Sequence, residues 1–108
     1  MPYNIELILC TCPDRGTSEK IAKRLVEDRL AACVNILPGL TSIYSWQDRL
    51  EMAEEHLLLI KSARDRYPAI EQAISDLHPY DLPEIIALPI AHGLPDYLKW
   101  IDACVSIK

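Results

Sequence analysis

Two β-rich segments separated by a very short turn limit the folds open to this chain of 108 residues. Residues 34–46, VNILPGLTSIYSW, and residues 50–62, LEMAEEHLLLIKS, are rich in aliphatic, aromatic and β-branched residues and lie on either side of Gln47-Asp48. The pattern predicts a long β-hairpin, with Pro38-Gly39 as a bend or bulge in its first arm. The turn lacks an Asn-Gly pair, so the sequence leaves its geometry open.

This hairpin is longer than the compact domain that a chain of this size forms. Two arms of about 12 residues, at about 3.3 Å per residue, extend for about 40 Å, whereas the expected radius of gyration gives a diameter of about 25 to 30 Å. Tyr44 and Trp46 lie on one face at the far end, where large amphipathic rings are poorly placed in water. We therefore expect subunits to associate through the hairpin.

Two elements before the hairpin are predicted from their periodicity. Residues 4–12 are short and apolar on both faces, which is typical of a buried strand. Residues 17–33 have a helical pattern, with Thr17 or Ser18 as the N-cap and an apolar face at three- and four-residue steps. The residues of that face are Ile21, Ala22, Leu25, Val26, Arg29 and Cys33.

Three elements follow the hairpin. A second helix begins at Asp65 and ends at His78, because a residue before proline is disfavoured in the helical conformation. Residues 84–91 are predicted as a buried strand and residues 95–105 as a last helix. The buried side of the last helix is predicted from Tyr97, Ile101, Cys104 and Val105.

The predicted order, βαββαβ plus one helix, is that of a ferredoxin-like α+β fold. Such a fold has an antiparallel sheet with helices on one face. The length suits one domain, spanning residues 1–108.

Composition narrows the classes of partner. The formal charge is -5 and the eleven Lys and Arg residues are scattered, so the chain repels phosphate backbones and we expect no nucleic-acid partner. No apolar run approaches the roughly 20 residues that span a bilayer, and the N-terminus has no signal-peptide pattern. We therefore expect no membrane partner, a cytoplasmic location, and reduced thiols at the four cysteines.

Cys10 and Cys12 share one side of an extended segment where the first strand meets the first helix. Thiols at this spacing could chelate a soft metal ion. The alternative is that buried cysteines pack as small hydrophobic residues, as we expect of Cys33 and Cys104. A zinc finger is disfavoured, because there is neither a second paired motif nor a histidine pair at helical spacing.

The segment LHPYDLPEI, residues 77–85, contains the histidine of greatest interest. His78 follows a helix C-terminus, where an imidazole can satisfy free carbonyl groups, and this structural role alone could explain it. The functional alternative is a metal ligand or general base, supported by Tyr80, Asp81 and Glu84. Prolines on both sides stiffen the loop, so that it loses less entropy when a ligand binds.

Glu55 and Lys61 lie on one face of the second hairpin arm, about 20 Å apart along the strand. They cannot pair with each other, so each requires a partner from another element or subunit. For Glu55, a solvated edge position is the alternative. His56 and His92 are predicted to be surface residues.

The segments LAACVNILPGLTSIYSW, LLLIKS and HPYDLPEIIALPI, followed by YLKWI, resemble the CutA divalent-cation tolerance proteins. The resemblance runs from about Leu9 to Ile101. It implies a ferredoxin-like subunit in a tight homotrimer, similar in architecture to the PII signalling proteins, whose long hairpins join neighbouring sheets. The positions that carry the family signature are Cys33, Tyr44, Trp46, Glu55, Lys61, His78, Pro79, Tyr80, Tyr97 and Trp100.

The resemblance also implies binding of copper or other divalent cations. It points to Cys10 and His78 as metal ligands, a thiolate and imidazole pair that suits copper. Leu77 stands where the family can have another histidine, and Cys12 is a candidate replacement ligand. Asp48 stands where the family often has glycine in the hairpin turn. Glu84 is a further candidate for the metal site or for a cleft between subunits, which the resemblance builds from Tyr44, Trp46, Glu55, Lys61 and Tyr80.

Three functions remain open on the sequence. The first is a non-enzymatic cytoplasmic homotrimer that binds copper or other divalent cations and contributes to metal tolerance. The second is a PII-like signalling or adaptor protein with a small ligand or partner in the inter-subunit clefts. The third, an enzyme with His78 and Glu84 as acid and base, is disfavoured because no nucleophile or cofactor motif is present.

Two other classes share the βαββαβ frame. Copper chaperones typically present Cys-x-x-Cys on an exposed loop, whereas CTC has one residue fewer and begins inside the strand. RNA-recognition domains use aromatic residues and basic charge, but this chain has no phenylalanine and a negative charge.

Overall fold

The computed structural model describes residues 3–106 and contains one four-stranded sheet. Its strands are β1, Ile5–Cys12; β2, Cys33–Trp46; β3, Arg49–Ala63; and β4, Ile86–Pro89. They are ordered β2-β3-β1-β4, and every neighbouring pair is antiparallel. This topology confirms the predicted ferredoxin-like α+β fold.

Two helices cover one face of the sheet. They are α1, Arg15–Glu27, and α2, Tyr67–Leu77, which follows a 3₁₀ turn at Arg64–Arg66. The main core lies between these helices and alternate residues of β1 and β3, since side chains along a strand point to opposite faces in turn. Its fully buried members include Ile8, Ile21, Leu25, Leu58, Ile60, Ile70 and Ile74. None of the helices described is long and apolar enough to cross a membrane.

The last helix, α3, Pro95–Val105, packs on the opposite face. Ile5 is three residues from Ile8, so its side chain points away from α1 and α2, and it packs with Leu98 and Ile101 of α3 in a second, smaller core. The prediction of helices on one face was therefore wrong for α3. The predicted buried side of this helix also needs correction. Leu98 is buried, whereas Tyr97 is partly exposed and turns its hydroxyl to Lys61.

Helix α1 begins earlier and ends earlier than its pattern predicts. Its N-cap is Asp14, whose carboxylate accepts a hydrogen bond from the backbone N–H of Thr17 at 2.7 Å, so neither Thr17 nor Ser18 is the cap. The helix ends at Glu27, and Arg29 takes a left-handed φ of 58° that a helix cannot continue through. Cys33, predicted on the helical face, instead begins β2.

Strand β4 is shorter than predicted and is exposed at all four of its residues. The expected buried strand was wrong, because β4 forms the edge of the sheet and only β1 lies beside it. Its apolar side chains, Ile86 and Leu88, are therefore about half exposed in the single chain.

The long hairpin is confirmed. The pairing of β2 with β3 shifts register between Leu37 and Leu40, where Gly39 has a φ of 78°, so the predicted bulge is present at Pro38-Gly39. Gln47 and Asp48 both have positive φ, as a type I′ turn requires. The molecule measures 45 × 25 × 22 Å, because the hairpin projects beyond the rest of the fold.

Candidate metal centre and adjoining cleft

The structure brings Cys10, Cys12 and His78 together on the helix-covered side of the sheet. Cys10 and Cys12 are alternate residues of β1, and His78 is the C-cap of α2, which packs over that strand. One ligand atom from each residue lies within 4.8 Å of the other two, and all three side chains are buried. Two sulfur atoms and one nitrogen therefore converge in a site shielded from water.

Hydrogen bonds hold the His78 ring in one orientation. The backbone N–H of Tyr80 donates to Nδ1 at 3.1 Å, and Nε2 lies 2.8 Å from the carbonyl oxygen of Thr11. Because the Tyr80 amide can only donate, Nδ1 is the acceptor and Nε2 carries the proton that it donates to Thr11. The ring also packs against that of Tyr80, with centroids 4.8 Å apart. His78 thus has the structural role that the sequence offered as an alternative.

The two buried thiols differ in acidity because they share a hydrogen bond. That bond and burial raise the pKa of Cys10. The same bond lowers the pKa of Cys12, and a hydrogen bond from Ser18 lowers it further, against the opposing effect of burial. The Cys12 thiolate forms first, while Cys10 keeps its proton. A metal ion that ligated both sulfurs would have to displace the Cys10 proton.

The donor atoms fit a soft or borderline metal ion. Thiolate sulfur and imidazole nitrogen are preferred ligands of copper and zinc. Two atoms bonded at about 2.3 Å to a tetrahedral ion lie about 3.8 Å apart, so the group of atoms within 4.8 Å needs only a small contraction. His78 would exchange one of its two hydrogen bonds for the metal, and the other would then fix the ring, as is usual for metal-bound histidine.

A cleft of about 730 Å³ lies beside the His78-Tyr80 turn and along the hairpin. Its lining combines the hairpin with the loop that follows His78. The residues are Thr11, Ser42, Ile43, Tyr44, Trp46, Glu55, Pro79, Tyr80, Asp81, Leu82 and Glu84. Four residues predicted for an inter-subunit cleft, namely Tyr44, Trp46, Glu55 and Tyr80, therefore share one concave surface within a single chain.

A buried carboxylate lies in this cleft. Glu55 is only 6% exposed, so the alternative of a solvated edge position was wrong. Its Oε2 accepts a hydrogen bond from the hydroxyl of Tyr80 at 3.0 Å. Burial, together with this bond to an anionic acceptor, raises the pKa of Tyr80 to about 12. Glu55 thus finds the partner from another element that its position on β3 required.

The other residues predicted for a functional site lie apart from Cys10, Cys12 and His78. Glu84 is exposed and lines the cleft. Lys61 does not line it: its Nζ lies 3.4 Å from the Tyr97 hydroxyl and 5.7 Å from the centre of that ring, beside α3. Cys33 and Cys104 are partly exposed rather than fully buried, and all four cysteines are free.

Thr11 has a role that the sequence did not predict, and His56 is more buried than predicted. Thr11 supplies the carbonyl oxygen that holds His78 and also lines the cleft. Its place between Cys10 and Cys12 was the available signal, because the alternation of a strand turns its side chain to the opposite face. His56, predicted at the surface, is half-buried, and its Nδ1 has no hydrogen-bond partner among the residues that the structure describes.

The chain is similar to known proteins in both sequence and structure. The family model described as CutA1 divalent ion tolerance protein matches residues 6–104. The divalent-cation tolerance protein CutA of Thermus thermophilus is 51% identical over 96 residues, which are 89% of this chain and 93% of that protein. Protein CutA of Homo sapiens is 40% identical over 101 residues, and the match covers 94% of this chain but 56% of the human protein.

Solved structures give the same comparison in three dimensions. The Thermus thermophilus protein superposes with a TM-score of 0.89 at 50% identity, covering 90% of this chain and 94% of its own. CutA1 from Oryza sativa superposes with a TM-score of 0.94 at 33% identity, covering 98% of this chain and 97% of its own. The similarity therefore extends over the whole described fold, including the hairpin.

Proposed function

Since the chain belongs to the CutA1 divalent ion tolerance family, we propose that it is a non-enzymatic protein that binds copper or another divalent cation through Cys10, Cys12 and His78. The observation that carries this proposal is the convergence of two buried sulfurs and one imidazole within 4.8 Å. A bound ion would be held by soft ligands away from water, and its removal from solution is one way to confer tolerance.

We propose that the working unit is a cytoplasmic homotrimer. Two exposed surfaces support association. One is the edge strand β4, with Ile86 and Leu88 half exposed. The other is the projecting half of the hairpin, where Leu50 is 78% and Met52 66% exposed. Unpaired strand edges and large exposed apolar side chains are features that a stable protein covers.

The arrangement of the residues favours binding over acid-base catalysis. Both ring nitrogens of His78 form hydrogen bonds with backbone groups, and Glu84 lines the cleft instead of joining Cys10, Cys12 and His78. The cleft itself favours a second candidate function, a PII-like protein that binds a small ligand there.

Calorimetric titration of the reduced protein with copper and with zinc, under anaerobic conditions, tests the metal proposal. We expect saturable binding at one site per chain. Cys10→Ser, Cys12→Ser and His78→Gln should each weaken it at least about ten-fold, which is the scale on which even supporting residues of a metal site act. Far-ultraviolet circular dichroism must show that each variant remains folded.

Cys104→Ser is the matched control, because Cys104 is a free thiol of α3 outside the group. Its affinity should equal that of the unmodified protein. Binding that is equally weak in all proteins, or that depends on Cys104 and not on Cys10, would contradict the proposed ligand set.

A further inference from the structure

We propose that the cleft between the hairpin and the His78-Tyr80 turn binds a small organic cation, an ammonium group carried on an apolar body. The inference rests on the second candidate function, the small-ligand cleft, and does not require a metal ion at Cys10 and Cys12. Three features of the lining carry it: its charge, its aromatic rings and its buried carboxylate.

The charge of the lining has one sign. Glu55, Asp81 and Glu84 line the cleft, and none of the described residues that line it is lysine, arginine or histidine. Such a surface attracts cations and repels anionic ligands such as nucleotides and carboxylic acids. The expected ligand therefore carries a positive charge.

The buried carboxylate of Glu55 has no cation to balance it within the described chain. The two ion pairs among residues 3–106 are Arg15–Glu19 and Arg24–Asp28, and both lie at α1. Tyr80 provides one hydrogen bond to Oε2, but a neutral hydroxyl does not compensate a buried charge. A ligand ammonium would supply the missing charge at a position that water reaches poorly.

Aromatic rings decide which kind of cation fits. Tyr44, Trp46 and Tyr80 all line the cleft, and each is partly exposed. Ring faces attract weakly hydrated organic cations, and groups of such rings recognise alkylated ammonium ions. A hydrated inorganic ion gains little from these walls, since magnesium and calcium prefer oxygen ligands throughout their shell.

The size of the cleft agrees with a small-molecule occupant. About 730 Å³ falls within the usual range of ligand pockets, about 300 to 1,000 Å³. The lining also mixes Leu82 and Ile43 with the polar groups, which gives an apolar body its own contact surface. The favoured ligand is thus an amine or quaternary ammonium compound with a short apolar part.

Choline and its neutral carbon isostere, 3,3-dimethylbutan-1-ol, form a matched pair of probes. They have nearly the same shape and differ in charge. The protein for this test is the full chain with Trp100→Phe, so that Trp46 is the only tryptophan and reports on the cleft. We expect saturable quenching of Trp46 fluorescence by choline, and at least about ten-fold weaker binding of the alcohol.

Glu55→Gln removes the charge while it keeps the shape, and should weaken choline binding by about ten-fold or more. Glu54→Gln makes the same change of charge on the neighbouring residue, which is exposed on the opposite face of β3, and should leave the affinity unchanged. A loss that is equal in the two variants would indicate only a general effect of net charge and would overturn the site.

Three other outcomes would also overturn the proposal. Equal binding of choline and the alcohol would make the cleft a plain apolar pocket, and full competition by magnesium chloride at matched ionic strength would make it an inorganic cation site. Absence of choline binding, with a lower sedimentation mass for Glu55→Gln, would make the cleft a contact between copies of the chain. Because choline binding requires neither Cys10 nor Cys12, each of these results is distinguishable from failure of the metal site.

Discussion

Nε2 of His78 lies 2.8 Å from the carbonyl oxygen of Thr11, and this contact ties the end of α2 to the end of β1 across 67 positions of sequence. Thr11 lies between the two cysteines of the proposed metal centre and itself lines the cleft. Nδ1 of the same ring accepts a hydrogen bond from the Tyr80 backbone N–H, and the Tyr80 hydroxyl donates a hydrogen bond to Glu55. One imidazole therefore positions both candidate sites.

His78→Ala should destabilise the fold even without metal. The substitution leaves the buried Thr11 carbonyl and the Tyr80 amide without their side-chain partner, and each such loss costs about 1 to 3 kcal/mol. We expect the free energy of unfolding in urea to fall by about 2 kcal/mol or more. His92→Ala, in an exposed loop, should change it by less than about 0.5 kcal/mol. Equal effects of the two substitutions would refute the structural role of His78.

The acidity of Cys12 should depend on Cys10. Their hydrogen bond lowers the pKa of Cys12 below its usual value, so the Cys12 thiolate forms at lower pH than the thiolate of an ordinary cysteine. In a Cys33→Ser/Cys104→Ser background, thiolate absorbance near 240 nm should rise for one thiol first. Adding Cys10→Ala removes the donor, and the titration should move to higher pH. An unchanged curve would show that the two thiols are not coupled.

Tyr80 should make the fold less stable in alkali. The folded chain holds its phenolic proton up to a pKa of about 12, against the ordinary value of 10.0. The folded state therefore binds this proton more tightly than the unfolded state. Its contribution is complete below pH 10 and is lost as the pH rises towards 12. Unfolding in urea at several pH values should show that the free energy of unfolding declines less between pH 10 and 12 for Tyr80→Phe than for the unmodified protein.

Tyr67 is the matched comparison for that experiment. Its pKa is also raised to about 12, chiefly by a hydrogen bond to Glu71. Tyr67→Phe should remove the part of the loss in free energy of unfolding between pH 10 and 12 that is due to Tyr67, and leave the part that is due to Tyr80. If neither substitution alters the slope of stability between pH 10 and 12, the two phenols do not titrate as the hydrogen bonds require.

Association should depend on the far half of the hairpin. Leu50 and Met52 are alternate residues of β3 on one face and are highly exposed in the single chain. We expect the unmodified protein to sediment at about three times the chain mass of 12.3 kDa. Leu50→Lys/Met52→Lys should shift it towards the single-chain mass, because two buried charges would be unpaired in the interface. A single-chain mass for the unmodified protein at micromolar concentration would exclude the trimer.

Much of the fold could be predicted from periodicity and turn chemistry. The hairpin and its bulge followed from the alternation of β2 and β3 and from Pro38-Gly39, and α2 ended before Pro79 as predicted. The predicted boundaries were wrong where a local sequence pattern continued by chance past the end of its element. The helical spacing of α1 extends through Arg29 and Cys33, but the left-handed Arg29 ends the helix and the chain enters β2.

Burial was harder to predict, because it depends on what lies beside an element. The apolar run of residues 84–91 predicted a buried strand, yet β4 is a sheet edge, and its exposure is a property of topology rather than of composition. For the candidate site, the sequence could place Cys10 and Cys12 on one side of a strand. Only the packing of α2 over β1 shows that His78 reaches them, and that Glu55 meets Tyr80 rather than solvent.

X-ray absorption spectroscopy of the metal-loaded protein can show whether Cys10, Cys12 and His78 hold the metal, because it identifies the atoms bonded to the ion. With one equivalent of zinc or copper, we predict two sulfur ligands and one imidazole nitrogen, with Zn–S at about 2.3 Å and Zn–N at about 2.0 to 2.1 Å. Cys10→Ser should lose one sulfur, and Cys104→Ser should lose none. If only oxygen and nitrogen atoms are bonded to the ion, the metal lies outside the Cys10, Cys12 and His78 group and the proposed site is wrong.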